Sequence, residues 1–125
     1  MISQQPFILL VEDDAELRTM IARGLQAAGY MVLQAGNFRQ AIDEMAIKPN
    51  LMILDINLPD ATGWNVADWL ESVTSDVPVI VISGFTPDEK RLKQFKPRAF
   101  LPKPFAIDEL LDLVQKYAPA TSSKF

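Results

Sequence analysis

Apolar and polar positions along this chain alternate between two periods. Phe7-Ile8-Leu9-Leu10-Val11 is an unbroken apolar run that ends on Glu12-Asp13-Asp14, and Leu17, Met20, Ile21, Leu25 and Ala28 then recur at three- and four-residue spacing. The first pattern reads as a strand covered on both faces, the second as one face of a helix, with Gly29 as its stop. Residues 31–35 predict a second strand, Asn37 is placed to cap a helix carrying Ala41, Ile42, Met45 and Ala46, and Pro49-Asn50 turns the chain into a third strand, Leu51-Met52-Ile53-Leu54-Asp55. A third helix is expected over 63–73 with Val66, Ala67 and Leu70 inward, and a fourth strand over 77–82. Thr86-Pro87-Asp88-Glu89 combines a cap residue, a proline at the first helical position and an acid three residues after the cap, so a helix starts there, and Pro97 limits it. Residues 99–101 read as a short fifth strand, and Ile107, Leu110, Leu111, Val114 and Tyr117 form the stripe of a last helix.

Strands alternating with helices predict an α/β domain with a parallel sheet and crossover helices. The 125 residues, 49% of them hydrophobic, suit a single domain with its core over about residues 6–117 and an aperiodic tail at 118–125. Composition then removes whole classes of chemistry. The chain has no cysteine, hence no disulfide, thiolate nucleophile or cysteine-bound zinc, in keeping with a reducing compartment. It has no histidine either, which excludes a Ser-His-Asp triad, imidazole ligands and a phosphohistidine of its own. A net charge of −4 argues against direct DNA binding. No apolar run approaches the roughly 20 residues of a membrane span, and residues 1–6 lack the basic and apolar regions of a signal peptide. The expectation is a cytoplasmic domain without membrane insertion.

The predicted order of elements puts Asp13, Asp55, Ser83 and Lys103 at or just beyond the carboxyl ends of the first, third, fourth and fifth strands. In an open parallel sheet those ends form one edge, where ligands bind. Glu12, Asp13 and Asp14 beside Asp55 would repel one another unless a cation were present, and an all-oxygen set points to Mg²⁺. Taken singly, each residue has a plainer reading: a turn acid, a solvated lysine, a turn serine. Asp14 in particular suits the cap or first turn of the first helix, and Trp64 and Trp69 suit packing. Convergence of four polar groups from distant segments is what distinguishes them.

Val11-Glu12-Asp13-Asp14, Asp55 with Leu58-Pro59-Asp60 and Gly63, Ser83-Gly84, and Phe100 three residues before Lys103-Pro104-Phe105 together resemble the receiver domain of two-component response regulators. The resemblance runs from about Pro6 to Tyr117. It implies a flavodoxin-like (βα)5 doubly wound fold with strand order 2-1-3-4-5. It also implies that Asp55 accepts a phosphoryl group from a phosphohistidine on a histidine kinase or histidine phosphotransfer domain. Asp13 and Asp55 would hold Mg²⁺ directly, Glu12 through water, and Asn57 by its backbone carbonyl. Lys103 and the Ser83 hydroxyl would meet phosphoryl oxygens, with backbone N–H groups near Asn57 and Gly84 as further donors. Ser83 and Phe100 would move together as a switch acting on an unidentified downstream protein, and Lys103-Pro104 would be cis. A phosphorylation-dependent homodimer is among the partners the resemblance admits.

Several positions depart from the family pattern. Lys96 and Pro97 stand where a Gly-Ala pair is common, and the stretch from Ser83 to Lys103 is about two residues short, so the helix within it should be abbreviated and the usual dimer mode is not assumed. Lys90, Arg91, Lys93, Lys96, Arg98 and Lys103 make the stretch basic, a solvated face or a surface for an acidic partner. Phe85, two residues beyond Ser83, is bulky enough to screen an aspartyl phosphate from water, and Asn57 offers no base, so slow autodephosphorylation is expected. The chain is expected to turn over no external substrate. An aspartate-nucleophile phosphatase would want an acid at position 57, and a pseudo-receiver that binds without phosphorylation would not need this intact acid, serine and lysine set. With no output domain after Tyr117, a shuttle, sink or protein-protein switch is expected rather than direct transcriptional control.

Overall fold

In the computed structural model, residues 5–58, 76–85 and 89–120 are described, with Asn65, Asp68, Trp69 and Glu71 between them; for Arg91 and Gln94 only the backbone is described. Five parallel strands, β1 (Phe7–Val11), β2 (Met31–Ala35), β3 (Leu51–Asp55), β4 (Val79–Ser83) and β5 (Ala99–Pro102), form one sheet in the order β2-β1-β3-β4-β5. This is the flavodoxin-like order. Helices α1 (Ala15–Ala27) and α2 (Phe38–Glu44) follow the first two strands, and two more occupy Glu89–Phe95 and Ile107–Tyr117. The helix expected over 63–73 lies largely outside the described residues, as do Pro59, Asp60, Trp64 and the Thr86-Pro87-Asp88 start signal.

Successive side chains of a strand point to opposite faces, and the core divides accordingly. Ile8, Leu10, Leu51, Ile53, Ile80, Ile82 and Leu101 face Ile21, Ala22 and Leu25 of α1 and Leu110 and Val114 of the last helix. Leu9, Val11, Met52, Leu54, Val79 and Val81 face Ala41 of α2 and Met45, with Trp69, Phe95 and Phe100 packed against them. Every residue of β3 and β4 is buried, which is why these strands read as unbroken apolar runs.

Local chemistry sets the boundaries. The Asp14 carboxylate accepts from the N–H groups of Glu16 and Leu17 at 3.0 and 3.2 Å, capping α1, and Asn37 accepts from Gln40 N–H at 2.9 Å, capping α2. Gly29 follows α1 with φ +99°, a backbone that side-chain-bearing residues rarely adopt. The structure departs from the sequence reading in several places. β4 begins at Val79 rather than residue 77, because Pro78 has no N–H and contributes only its carbonyl, to Met52 N–H at 2.9 Å. Met45 and Ala46 leave α2 for a 3₁₀ turn over Met45–Ile47, closed by Lys48 at φ 58°. Met20 shares the apolar spacing of α1 yet is 50% exposed. The helix before Pro97 is described over Glu89–Phe95. Packing continues past Tyr117, with Ala118 buried and Ala120 against the core. No helix among the described residues is long and apolar enough to cross a membrane.

Ile53 is fully buried at the centre of the sheet, whereas Met31 is 48% exposed on edge strand β2. Ile53→Ala should lower unfolding free energy by about 2–5 kcal/mol, from lost burial plus the cavity left behind. Met31→Ala should stay within about 0.5 kcal/mol. Urea denaturation of both variants beside the parent checks the contrast.

Candidate functional site at the carboxyl edge of the sheet

Register places the polar residues. Val11 of β1 lies opposite Leu54 of β3, so the residues that follow, Glu12 and Asp55, leave the sheet side by side. Asp55 pairs with Ile82 of β4, and Ser83 with Pro102 of β5, which puts Lys103 just beyond the edge. Lys103 N–H donates to the Ser83 carbonyl at 2.8 Å, and the Lys103-Pro104 peptide is cis.

The Lys103 ammonium bridges two carboxylates, with Nζ 2.6 Å from Glu12 Oε1 and 3.0 Å from Asp55 Oδ2. The other oxygen of each acid takes a backbone donor: Asp55 Oδ1 accepts from Asn57 N–H at 2.9 Å, and Glu12 Oε2 from Asp14 N–H at 3.1 Å. Glu12 is 0% exposed and Asp55 1%, so both have lost their water and depend on these partners. Asp13 stays exposed, and one carboxylate oxygen from each of Glu12, Asp13 and Asp55 lies within 4.8 Å of the others. Three carboxylates thus face one ammonium. Glu12 Oε1, although beside that ammonium, has no aligned hydrogen-bond donor. A compact oxygen donor set with surplus negative charge and an under-satisfied buried oxygen fits a hard divalent cation such as Mg²⁺.

Burial pushes the Glu12 carboxyl up to about 7, and the Asp55 charge adds to the rise, while Lys103 and the Asp14 N–H pull against it. For Lys103, burial acts downward, but its pairing with the Glu12 and Asp55 carboxylates outweighs it, so its pKa is raised and the ammonium is held charged.

The remaining predicted residues sit around this centre. Ser83 is buried, and its hydroxyl oxygen accepts from Phe85 N–H at 3.0 Å, leaving the O–H proton to donate. A side chain added at Gly84 would meet nothing within 4 Å, so the edge is open there, and Phe85 is 67% exposed beside it. Phe100 is half-buried on the other face from Leu101. Asn57 is exposed, and Asp14 serves as the α1 cap. A cleft of about 400 Å³ lined by Leu17, Met20, Lys103, Pro104 and Phe105 opens beside the lysine. Arg18 was not legible as part of the site: its Nη1 donates to the Glu12 carbonyl at 2.7 Å. A side chain reaching a backbone oxygen leaves no residue-type pattern to read.

Fold and site together define a receiver-type signalling domain. Residues 8–115 match the response regulator receiver domain family, and the chain belongs to that family of two-component signalling proteins. It is 37% identical over 111 residues to the probable transcriptional regulatory protein SilR of Salmonella typhimurium, covering 86% of this chain and 49% of that protein. It is 29% identical over 118 residues to the polar-differentiation response regulator DivK of Brucella anthropi, covering 90% of this chain and 96% of that one. The chain spans about half the length of SilR and of the MprA relatives. Among solved structures, the signal receiver domain of a putative Luxo repressor protein from Vibrio parahaemolyticus has TM-score 0.86 at 30% identity, covering 92% of this chain and 91% of that one. Response regulator TrrA of Thermotoga maritima, in complex with Mg(2+)-BeF, has TM-score 0.80 at 27% identity, covering 90% and 98%.

Between pH 4.5 and about 7 the folded protein keeps a proton on Glu12 that the unfolded chain has released. Metal-free stability should therefore be fullest below that window and fall as pH rises through it, by on the order of 3 kcal/mol. Glu12→Gln cannot titrate and should flatten the slope. Urea unfolding in EDTA at pH 5 and pH 8 measures this; equal slopes for the two proteins would dismiss Glu12 as its origin.

Proposed function

We propose that the chain is a phosphoacceptor in a two-component phosphorelay, with Asp55 as the nucleophile. The observation that carries this reading is the state of the Asp55 carboxylate: buried, held at Oδ1 by Asn57 N–H and at Oδ2 by Lys103, beside Glu12 and Asp13. An Asp55 oxygen bonds to the phosphorus of a partner's phosphohistidine as the P–N bond breaks, and the electron pair passes to the imidazole nitrogen of the donor. Such a transfer needs alignment and charge neutralisation more than covalent machinery. Lys103, already at the carboxylate, neutralises a phosphoryl oxygen, and the Ser83 hydroxyl donates to another. Backbone N–H groups of Asn57 and Gly84 supply further donors on the open side of the edge. Bound Mg²⁺ neutralises phosphoryl charge; Asp13 and Asp55, Glu12 through water, and the Asn57 carbonyl are the groups that would hold it.

The donor is a histidine kinase or a histidine phosphotransfer domain, and the cleft beside Lys103 offers it an apolar wall. Drawing Ser83 toward the phosphoryl group frees space into which Phe100 turns, converting a charge event into a packing change that a downstream protein reads. Having no hydroxyl, Phe100 carries no polar group to satisfy when it turns inward. The chain turns over no external substrate in this reading. Asn57 stands where an aspartate-nucleophile phosphatase would place its second acid, and the complete acid, serine and lysine set disfavours a pseudo-receiver.

Acetyl phosphate or phosphoramidate should add a single phosphoryl group by intact mass, dependent on Mg²⁺ and absent from Asp55→Asn. A Mg²⁺-dependent adduct that persists in Asp55→Asn would move the acceptor elsewhere, and no adduct from either reagent or from a phosphohistidine donor would favour the pseudo-receiver. A second outcome concerns lifetime. Phe85→Ala should shed phosphate faster than the parent, roughly severalfold, when phosphoprotein decay is followed in Mg²⁺; decay at the parental rate would end the screening idea.

A further inference from the structure

Arg18 lies outside the acidic cluster, yet it holds the backbone on which two of the acids stand. Its Nη1 donates to the Glu12 carbonyl at 2.7 Å, while Glu12 N–H donates to the Ala35 carbonyl at 3.0 Å, so the chain is gripped on both sides of Glu12. The carbonyl belongs to the peptide that joins Glu12 to Asp13, and a planar peptide turned at one end turns at the other. Glu12 has further partners of its own in Lys103 and Asp14 N–H, but Asp13 is exposed, so the direction of its carboxylate depends on that peptide plane.

The guanidinium reaches this place because residue 36 has no side chain. A Cβ on Gly36 would stand 2.9 Å from Arg18 Nη1 and 3.6 Å from Cζ. The position is itself pinned, since Gly36 N–H donates to Gln40 Oε1 at 2.7 Å in the first turn of α2, so the clash would be relieved by moving the arginine. Gly36 has no positive φ, so its backbone conformation does not demand glycine.

We propose that Arg18, admitted by Gly36, is a positioning residue that sets the cation affinity of the acidic site by fixing the Glu12–Asp13 peptide. The inference rests on the Mg²⁺ site of the preceding section and adds residues from α1 and the β2–α2 turn to it. Groups that orient metal ligands commonly change affinity 10–100-fold when removed. A competing effect runs the other way: the arginine charge repels a cation, so its loss alone would tighten binding.

Calorimetric titration of the full chain with Mg²⁺, beside melting temperatures in EDTA, separates the two. Gly36→Ala keeps the charge and displaces the guanidinium, and should weaken Mg²⁺ binding about tenfold. Arg18→Met should weaken it comparably, and Arg18→Lys, which retains one donor, should recover part of the loss. Weaker binding in Gly36→Ala and Arg18→Met, with partial recovery by Arg18→Lys, supports the proposal. Parental affinity in Gly36→Ala with tighter binding in Arg18→Met would leave only a charge effect and overturn it. A fall in melting temperature with affinity intact would reduce Arg18 to a structural residue and overturn it too. If Gly36→Ala does not fold, Arg18→Met against Arg18→Lys decides by the direction of the change. Absence of Mg²⁺ binding in the parent would refute the site reading itself, whereas parental binding lost in Asp13→Asn with Arg18→Met unchanged would refute this inference alone.

Discussion

The contact on which the site depends is the bridge from one ammonium, Lys103, to two buried carboxylates, Glu12 and Asp55. Two acids at the ends of neighbouring strands would separate or remain protonated in so dry a place, and the raised pKa of Glu12 shows how close that balance is. A third acid, Asp13, avoids the cost by staying in water. The edge thus sets three carboxylates against the Lys103 ammonium. Removing the lysine charge would reach both acids at once, because Nζ lies 2.6 Å from one carboxylate and 3.0 Å from the other.

The sheet makes such an arrangement reproducible. Parallel register fixes Val11 opposite Leu54, Asp55 opposite Ile82 and Ser83 opposite Pro102, so the ends of four strands come together on one edge. The three inner strands β1, β3 and β4 are buried almost throughout, so packing against both helix layers holds their register. Precision at the polar edge is therefore a by-product of apolar packing below it. The same division puts Phe100 on the face with Val81 and Leu54, while Leu101 looks to the opposite face.

Much of this was legible in the sequence because strong local signals agreed with the topology. Asp14 and Asn37 cap the helices they were expected to cap, and the alternation of runs and stripes implied the parallel sheet that sends Asp13, Asp55, Ser83 and Lys103 to one edge. Misreadings fell where apolar spacing outlasts the element that carries it: Val77 precedes a proline that cannot donate to a ladder, Met45 and Ala46 tighten into a 3₁₀ turn, and Met20 points to a cleft. The pairing of Lys103 with Glu12 depends on register between strands far apart in the chain. Arg18 and Gly36 meet only through a backbone carbonyl and an empty volume, neither of which has a residue code.

Gly29, the turn between α1 and β2, has a further neighbourhood. An added Cβ there would lie 3.8 Å from both Ala120 and the Gln5 side chain, while Tyr30 next to it donates its hydroxyl to Gln115 Oε1 at 2.8 Å. Both ends of the described chain therefore come together at one knot, on the edge of the sheet remote from the acids. A fluorophore placed on Gln5 or Ala120 would sit a full strand length from the carboxylates.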